Sequence, residues 1–125
     1  MIKLLFAHIC NEAFISQEGN KLNIIGIFEN IGTPKFPVVY PIFSIVTKIQ
    51  GDAGNYNQNL IISNKDTGQE ISRIMGRSDI LAPNGKAVFI GNFIMIAFPA
   101  PGNYLVNIFI NEEKIGEIEF KVNQL

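Results

Sequence analysis

From Tyr104 to Val122 the chain alternates apolar and polar residues with a period of two. Tyr104, Val106, Ile108 and Ile110 fall on one side, and Leu105, Asn107, Phe109 and Asn111 on the other. A polar link, Asn111-Glu112-Glu113-Lys114, follows. Ile118, Phe120 and Val122 then share a face opposite Glu117, Glu119 and Lys121. Successive side chains of a strand point to opposite faces, so two such runs around a short link predict an antiparallel β-hairpin with one buried face.

Turn signals cut the rest of the chain into runs of strand length. Ile2 to Ile15 and Lys21 to Ile31 flank the turn Gln17-Glu18-Gly19-Asn20, where Gly19 and Asn20 can take positive φ, and together they predict a hairpin. Gly32-Thr33-Pro34-Lys35-Phe36-Pro37 reads as a crossover loop, because its two prolines do not fit inside a central strand. Strands are then expected from Val38 to Gln50, Asn57 to Asn64, Glu70 to Leu81 and Lys86 to Phe98. Pro83-Asn84-Gly85 is the strongest turn signal: proline presets φ and Asn-Gly accepts left-handed geometry. No segment carries a helical apolar stripe. About eight strands at roughly ten-residue spacing is the pattern of an all-β sandwich or barrel. Tyr104, at the start of a late strand, matches the corner tyrosine of immunoglobulin-like sandwiches. The expectation is an all-β, two-sheet antiparallel Greek-key sandwich, immunoglobulin-like, forming a single domain over residues 1–125.

Two runs break the rule of apolar inside and polar outside. In Lys86–Phe98, Val88, Ile90, Ile94 and Ile96 share a side with Asn92, while Phe89, Phe93 and Met95 share the other with Gly91. In Val38–Gln50, Val38, Tyr40, Ile42 and Val46 stand against Val39, Phe43, Ile45 and Ile49. A strand apolar on both faces needs cover on both, and no helix is predicted to give it. Either the loop from Gly32 to Pro37 folds over the outer face or a second subunit does. A large exposed apolar patch usually marks an interface, and a two-fold dimer is the commonest arrangement. The candidate interface is Phe89, Phe93, Met95, Val39, Phe43 and Ile45, with a homo-oligomer expected and a dimer favoured.

Composition narrows the partners. The 125 residues are 47% hydrophobic, rich in Ile and Phe and devoid of Trp, enough for a full β core. A net charge of −1, with no two basic residues adjacent, offers nucleic acid no basic face and an anionic membrane no steering. No apolar stretch reaches the ~20 residues of a membrane span. The apolar start, Met1 to Ala7, is too short for a signal peptide and runs into His8 and Asn11-Glu12. Cys10 is the one cysteine, so no intrachain disulfide is possible. The expectation is a soluble, cytoplasmic protein.

Candidate chemistry is sparse. His8, Cys10 and Glu12 alternate along one strand and could face one way, as metal ligands or as a Cys–His nucleophilic pair. Neighbours two apart on a straight strand lie about 7 Å apart, and no other His or Cys completes a site; an inert buried cysteine is the simpler reading. Asp52, Asp66 and Asp79 are too scattered for paired-carboxylate catalysis or a calcium loop. Arg73 and Arg77 share one strand face, fit to solvate it. Phe36 and Tyr56 lie in loops and are the candidate ligand-contacting aromatics. No phosphate-cradling glycine loop is present, and no cofactor is expected.

Glu12-Ala13, the turn at Gly19, Lys21-Leu22-Asn23-Ile24-Ile25-Gly26-Ile27-Phe28, Pro34 and Pro37, with the closing Pro101-Gly102-Asn103-Tyr104 hairpin, resemble a family of small uncharacterised prokaryotic proteins. The resemblance spans most of the chain. It implies a β-sandwich and no assigned activity, and it carries over no functional residue. The resulting expectation is a non-enzymatic module that works through protein–protein contact, as a homo-oligomer or an assembly subunit. The alternative is a small-ligand or carbohydrate-binding sandwich using the loops at Phe36 and Tyr56.

Overall fold

The computed structural model describes residues 1–125 and contains nine strands and no helix. They are β1 (Ile2–Ile15), β2 (Leu22–Ile27), β3 (Asn30–Thr33), β4 (Val38–Gly51), β5 (Gly54–Asn64), β6 (Glu70–Ile80), β7 (Gly85–Phe98), β8 (Gly102–Ile110) and β9 (Glu113–Gln124). They form a four-stranded sheet, ordered β2-β1-β4-β7, and a five-stranded sheet, ordered β3-β9-β8-β5-β6. Every pairing is antiparallel except β3 with β9.

The closing hairpin forms as its alternation dictates. Tyr104, Val106, Ile108, Ile110, Phe120 and Val122 are buried between the sheets, while Glu117, Glu119 and Lys121 are exposed. The β1–β2 hairpin also forms, with Ile15 opposite Leu22.

One expected strand is two. The run from Lys21 to Ile31 divides after Ile27, which raises the count from eight to nine. Phe28 still donates its backbone N–H to Ile9 in the four-stranded sheet, whereas the carbonyl of Glu29 accepts from Lys121 in the five-stranded one. The chain therefore crosses the sandwich between these two residues. β3 then lies parallel to β9, with Asn30 opposite Lys121. Alternation alone cannot reveal this step, because both halves are extended and β-branched.

The strand order is that of an immunoglobulin-type Greek key. β1, β4 and β7 take the places of strands A, B and E; β9, β8 and β5 take those of G, F and C, with β6 added as C′. The corner tyrosine is present: the Tyr104 hydroxyl donates to the carbonyl of Ala100 at 2.6 Å.

Aromatic rings fill the core at one end. Phe43 stacks on Phe93 across the β4–β7 pair, with centroids 5.3 Å apart, and Phe98 meets Tyr104 edge-on at 5.1 Å. Such geometry adds about 0.5–1.5 kcal/mol per pair beyond the area buried. A smaller cluster of Ile49, Ile80 and Ile110 closes the other end. Buried polar groups bridge the sheets: the Thr47 hydroxyl of β4 donates to Gln58 Oε1 of β5, and Gln58 Nε2 donates to Ser78 Oγ of β6 at 3.1 Å. Each would be costly to bury alone.

Candidate interaction surface

Inward and outward positions on β4 and β7 follow from the core. Phe43, Ile45, Ile49 and Phe93 are fully buried or nearly so. Their neighbours Ile42, Ser44, Val46, Lys48, Asn92 and Ile94 therefore point away from the second sheet. Near the far end both strands exchange faces together. Met95 takes φ 55°, and Pro41, which has no N–H, stands opposite it. Beyond this point Tyr40, Ile96, Val38 and Phe98 pack on the core, and Val39 and Ala97 point outward.

The register builds the outer face row by row. One row is Lys3, Gln50 and Lys86, and the next is Phe6, Lys48 and Val88. Then come His8, Val46 and Ile90, followed by Ile27, Cys10, Ser44 and Asn92. Ile42 and Ile94 form the next row, and Val39 and Ala97 the last. The face is cationic at one end, carries Ser44 and the exposed Asn92 across its middle, and is apolar at Ile27, Ile42, Ile94 and Val39. Ile94 is 63% exposed, Met95 65%, Ile27 56%, Ile42 52% and Val39 48%. Among these large side chains, Cys10, Ser44 and Val46 are nearly inaccessible, because they are short and walled by their neighbours.

The expected loop from Gly32 to Pro37 is shorter, because Gly32 and Thr33 pair with β9 as the end of β3, and the remaining Pro34–Pro37 segment does not lie over this face. It joins the two sheets at the end of the sandwich, where Phe36 packs on the core and the Phe36–Pro37 peptide is cis. The outer face of the five-stranded sheet is different in kind. Arg73, Arg77, Asp79, Asn55, Asn57, Glu117, Glu119 and Lys121 are all exposed there. Ion pairs link Arg73 to Glu70, Lys114 to Glu117 at 2.6 Å and Lys65 to Glu119 at 2.8 Å.

Of the six residues expected at an interface, only Met95 and Val39 lie on the open apolar face. Phe43, Ile45 and Phe93 are core residues, and Phe89 is half-buried, with its ring against Gly76 of β6. This corrects the choice of face. Both faces of β4 and β7 are apolar in sequence, and alternation does not say which of them is inside. The core takes the larger aromatic set because the rings fill the space between sheets. The residues missed are Ile42, Ile94 and Ile27; the apolar positions opposite the aromatics were the signal that could have found them.

The two candidate ligand-contacting aromatics are not brought together, and Tyr56, expected in a loop, lies in β5 opposite Ser78 because that strand begins at Gly54. Phe36 lies before the start of β4 and Tyr56 beyond its end, where the Tyr56 hydroxyl donates to the carbonyl of Asp52 at 2.7 Å and the ring packs on the smaller core cluster. His8 and Cys10 are neighbours on the outer face, but His8 stacks on Phe6 with centroids 5.3 Å apart. Cys10 Sγ lies 3.5 Å from the carbonyl oxygen of Glu12 and 3.6 Å from that of Ser44. Burial pushes the Cys10 thiol up, partly opposed by the backbone hydrogen bond at Glu12. A raised pKa disfavours the thiolate that nucleophilic or metal chemistry needs. No three His, Cys, Asp or Glu side chains gather in a metal-holding group.

Concave features are shallow. A cleft of about 220 Å³ opens where the sheets part, lined by His8, Ile27, Phe28, Glu29 and Glu119 among others. On the polar face a groove of about 320 Å³ is lined by Asn57, Asn59, Asn111, Glu112, Met75 and Gln58. Asn59 Oδ1, within this groove, is buried without a hydrogen-bond partner.

These features define an immunoglobulin-like β-sandwich with one apolar and one polar outer face. The chain belongs to the family of unknown function DUF6941, whose model matches residues 5–123. No curated protein matches the chain significantly. Among solved structures, it is similar to the β-glucosidase of Listeria innocua in complex with isofagomine, with TM-score 0.59 and 8% identity over 98% of this chain and 16% of that one. It is also similar to the Pseudomonas fluorescens alkylpurine DNA glycosylase AlkC bound to DNA, with TM-score 0.57 and 12% identity over 98% of this chain and 30% of that one. The chain thus spans less than a third of either protein, and the likeness shows the fold alone. An immunoglobulin-like protein from Pseudomonas aeruginosa matches with TM-score 0.45 and 13% identity, over 98% of this chain and 96% of that one.

Proposed function

We propose that this protein is a non-catalytic interaction module that docks a protein partner on the outer face of the four-stranded sheet, as a homo-oligomer or as one subunit of a larger assembly. One observation carries the reading: Ile27, Val39, Ile42, Ile94 and Met95 are exposed together on one sheet, while the other sheet turns charge and amide to solvent. Apolar residues gathered on one face, against the single exposed Met75 on the other, mark a contact surface. The unpaired, buried Cys10 suits a reducing compartment such as the cytoplasm. Affinity purification with the wild type beside Ile42→Lys/Ile94→Lys tests the reading. A species that co-purifies stoichiometrically with the wild type and is lost with the variant supports it. Binding unchanged by the variant, and lost on Arg73→Glu instead, refutes it.

A second reading, small-ligand or carbohydrate binding, draws on a different observation. The exposed amides of Asn57 and Asn111, side by side in the polar-face groove with Asn59, would hydrogen-bond a hydroxyl-bearing ligand. A thermal-shift screen of mono- and oligosaccharides on wild type and Asn57→Ala tests it. Stabilisation of the wild type alone is the supporting result.

A further inference from the structure

Apart from the apolar face, and independently of how that face is used, we infer that the flank of the sandwich beside the crossing at Phe28–Glu29 takes up an extended segment of a partner protein. The segment adds to the edge of β9 as a strand in line with β3. Three features point there.

The first is an edge left half open. β3 pairs with β9 only from Lys121 to Gln124, so from Glu113 to Phe120 β9 has β8 on one side and no strand on the other. The Lys121 N–H donates to the carbonyl of Glu29 and so points to the open side. Alternate residues of a strand turn their backbone groups the same way, which sends the N–H and C=O of Glu119 and Glu117 to that edge too. β1 repeats the arrangement in the other sheet: β2 reaches only Cys10, and Ile2–His8 pairs with β4 alone. A strand is the occupant whose own groups recur at the same spacing.

The second is an interior left half covered. Leu4, Ala7, Phe28, Ile115 and Ile118 pack against the core along this flank and are only half-buried. The cleft of about 220 Å³ opens among them, with Ala7 and Ile9 on one wall and Ile118 on the other. Beyond it Leu4 closes over Gly116, where a Cβ would overlap its side chain. A strand laid on the edge of β9 covers the opening that remains.

The third is a pair of hollows matched to a strand's two faces. Beside the apolar cleft lies a polar hollow of about 300 Å³, lined by Glu29, Asn30, Asn103, Glu119, Phe120 and Lys121. Glu29 and Glu119 border both. Successive side chains of an added strand point to opposite sides, so one enters the apolar cleft and the next the polar hollow. Main-chain bonds then supply affinity and the two hollows selectivity. Glu29 is exposed and forms no ion pair, so the polar side favours lysine or arginine. The partner segment thus alternates apolar and basic residues.

Short synthetic peptides alternating lysine with valine, leucine or phenylalanine are the probe, titrated into the isotope-labelled whole chain and followed by NMR. The expected result is that the Glu117 and Glu119 amides shift and exchange more slowly with solvent. Methylating the backbone nitrogens of alternate peptide residues should abolish binding in one parity and spare it in the other. Glu119→Pro removes an edge donor at a position where proline is tolerated, and should weaken binding by about tenfold or more. Ile42→Lys/Ile94→Lys should bind as the wild type does. The methylated pair needs no variant and decides the matter even if Glu119→Pro fails to fold. No binding by any peptide up to about 1 mM overturns the inference, as do two methylated forms that bind alike. Shifts at Ile42 and Ile94 in place of Glu117 and Glu119 overturn it as well and leave the reading of the apolar face standing.

Discussion

Met95 stands opposite Pro41 in the β4–β7 register, and theirs is the one position between Val38 and Gly51 where the two strands do not pair. Proline has no N–H to give, and a residue at φ 55° turns its own groups out of line. The shared gap lets both strands exchange faces, so that Ile96 and Phe98 reach the core. Met95→Gly, which takes positive φ freely, should raise the unfolding free energy by about 0.5–1 kcal/mol, and β-branched Met95→Val should lower it by about 1–2 kcal/mol. Urea titration of the two variants measures both; equal stabilities would remove this account of the switch.

The Thr47–Gln58–Ser78 bridge is predicted to be strongly non-additive. Thr47→Val alone strands the Gln58 carbonyl and should cost about 1–3 kcal/mol. Thr47→Val with Gln58→Leu and Ser78→Ala leaves no orphan, and should cost less than the sum of the single changes. A triple-mutant cycle on the melting transition reads the coupling.

Phe89 lies over Gly76, and a Cβ at that position would overlap the ring. The close approach of β6 to β7 depends on this absence. Gly76→Ala should destabilise by about 1–3 kcal/mol, and Gly76→Ala with Phe89→Leu should recover part of the loss. Additive losses on thermal denaturation would show that the ring is not what the methyl meets.

The ion pairs of the polar face set a pH dependence with a definite sign. A hydrogen bond from Arg73 holds Glu70 below the ordinary carboxyl value of 4.5, and one from Lys114 does the same for Glu117. Their stabilisation is in place above that value and is lost as pH falls through the lowered folded values. Its hydrogen bond to Glu119 raises Lys65 above 10.5, so that contribution is complete below 10.5 and is lost as pH climbs through the raised value. All are solvent-facing, so the expected effect is small and fades in high salt. Denaturation series in acid and in alkali, at low and high ionic strength, give the measurement.

Cys10 should be nearly inert to a thiol reagent in the native protein at neutral pH and react at once after unfolding. Burial both raises its pKa and blocks approach. Fast native labelling would contradict its placement among Ser44, Val46 and Ile27.

Much of this fold was legible in the sequence. Proline, asparagine and glycine marked its turns, and in Tyr104–Val122 each polar residue lay where water reaches it. Even Tyr104 announced its corner bond. The crossing at Phe28–Glu29 was not legible, because a strand that changes sheets stays extended and changes only its partner. The orientation of β4 and β7 was hidden for a related reason. Apolar residues occupy both faces, and the choice between them is made by the volume between the sheets. Pro41 was the one local sign of the exchange, and its meaning depends on Met95, distant in sequence.

The parallel pairing of β3 with β9 also has a consequence for biosynthesis. β1 and β2 can pair as soon as they leave the ribosome, but Asn30–Thr33 has no neighbour in its sheet until Lys121–Gln124 is made. Contacts so distant along the chain form slowly. The nascent protein therefore carries an unpaired strand edge until everything between Thr33 and Lys121 has been made, and the five-stranded sheet closes last at its edge.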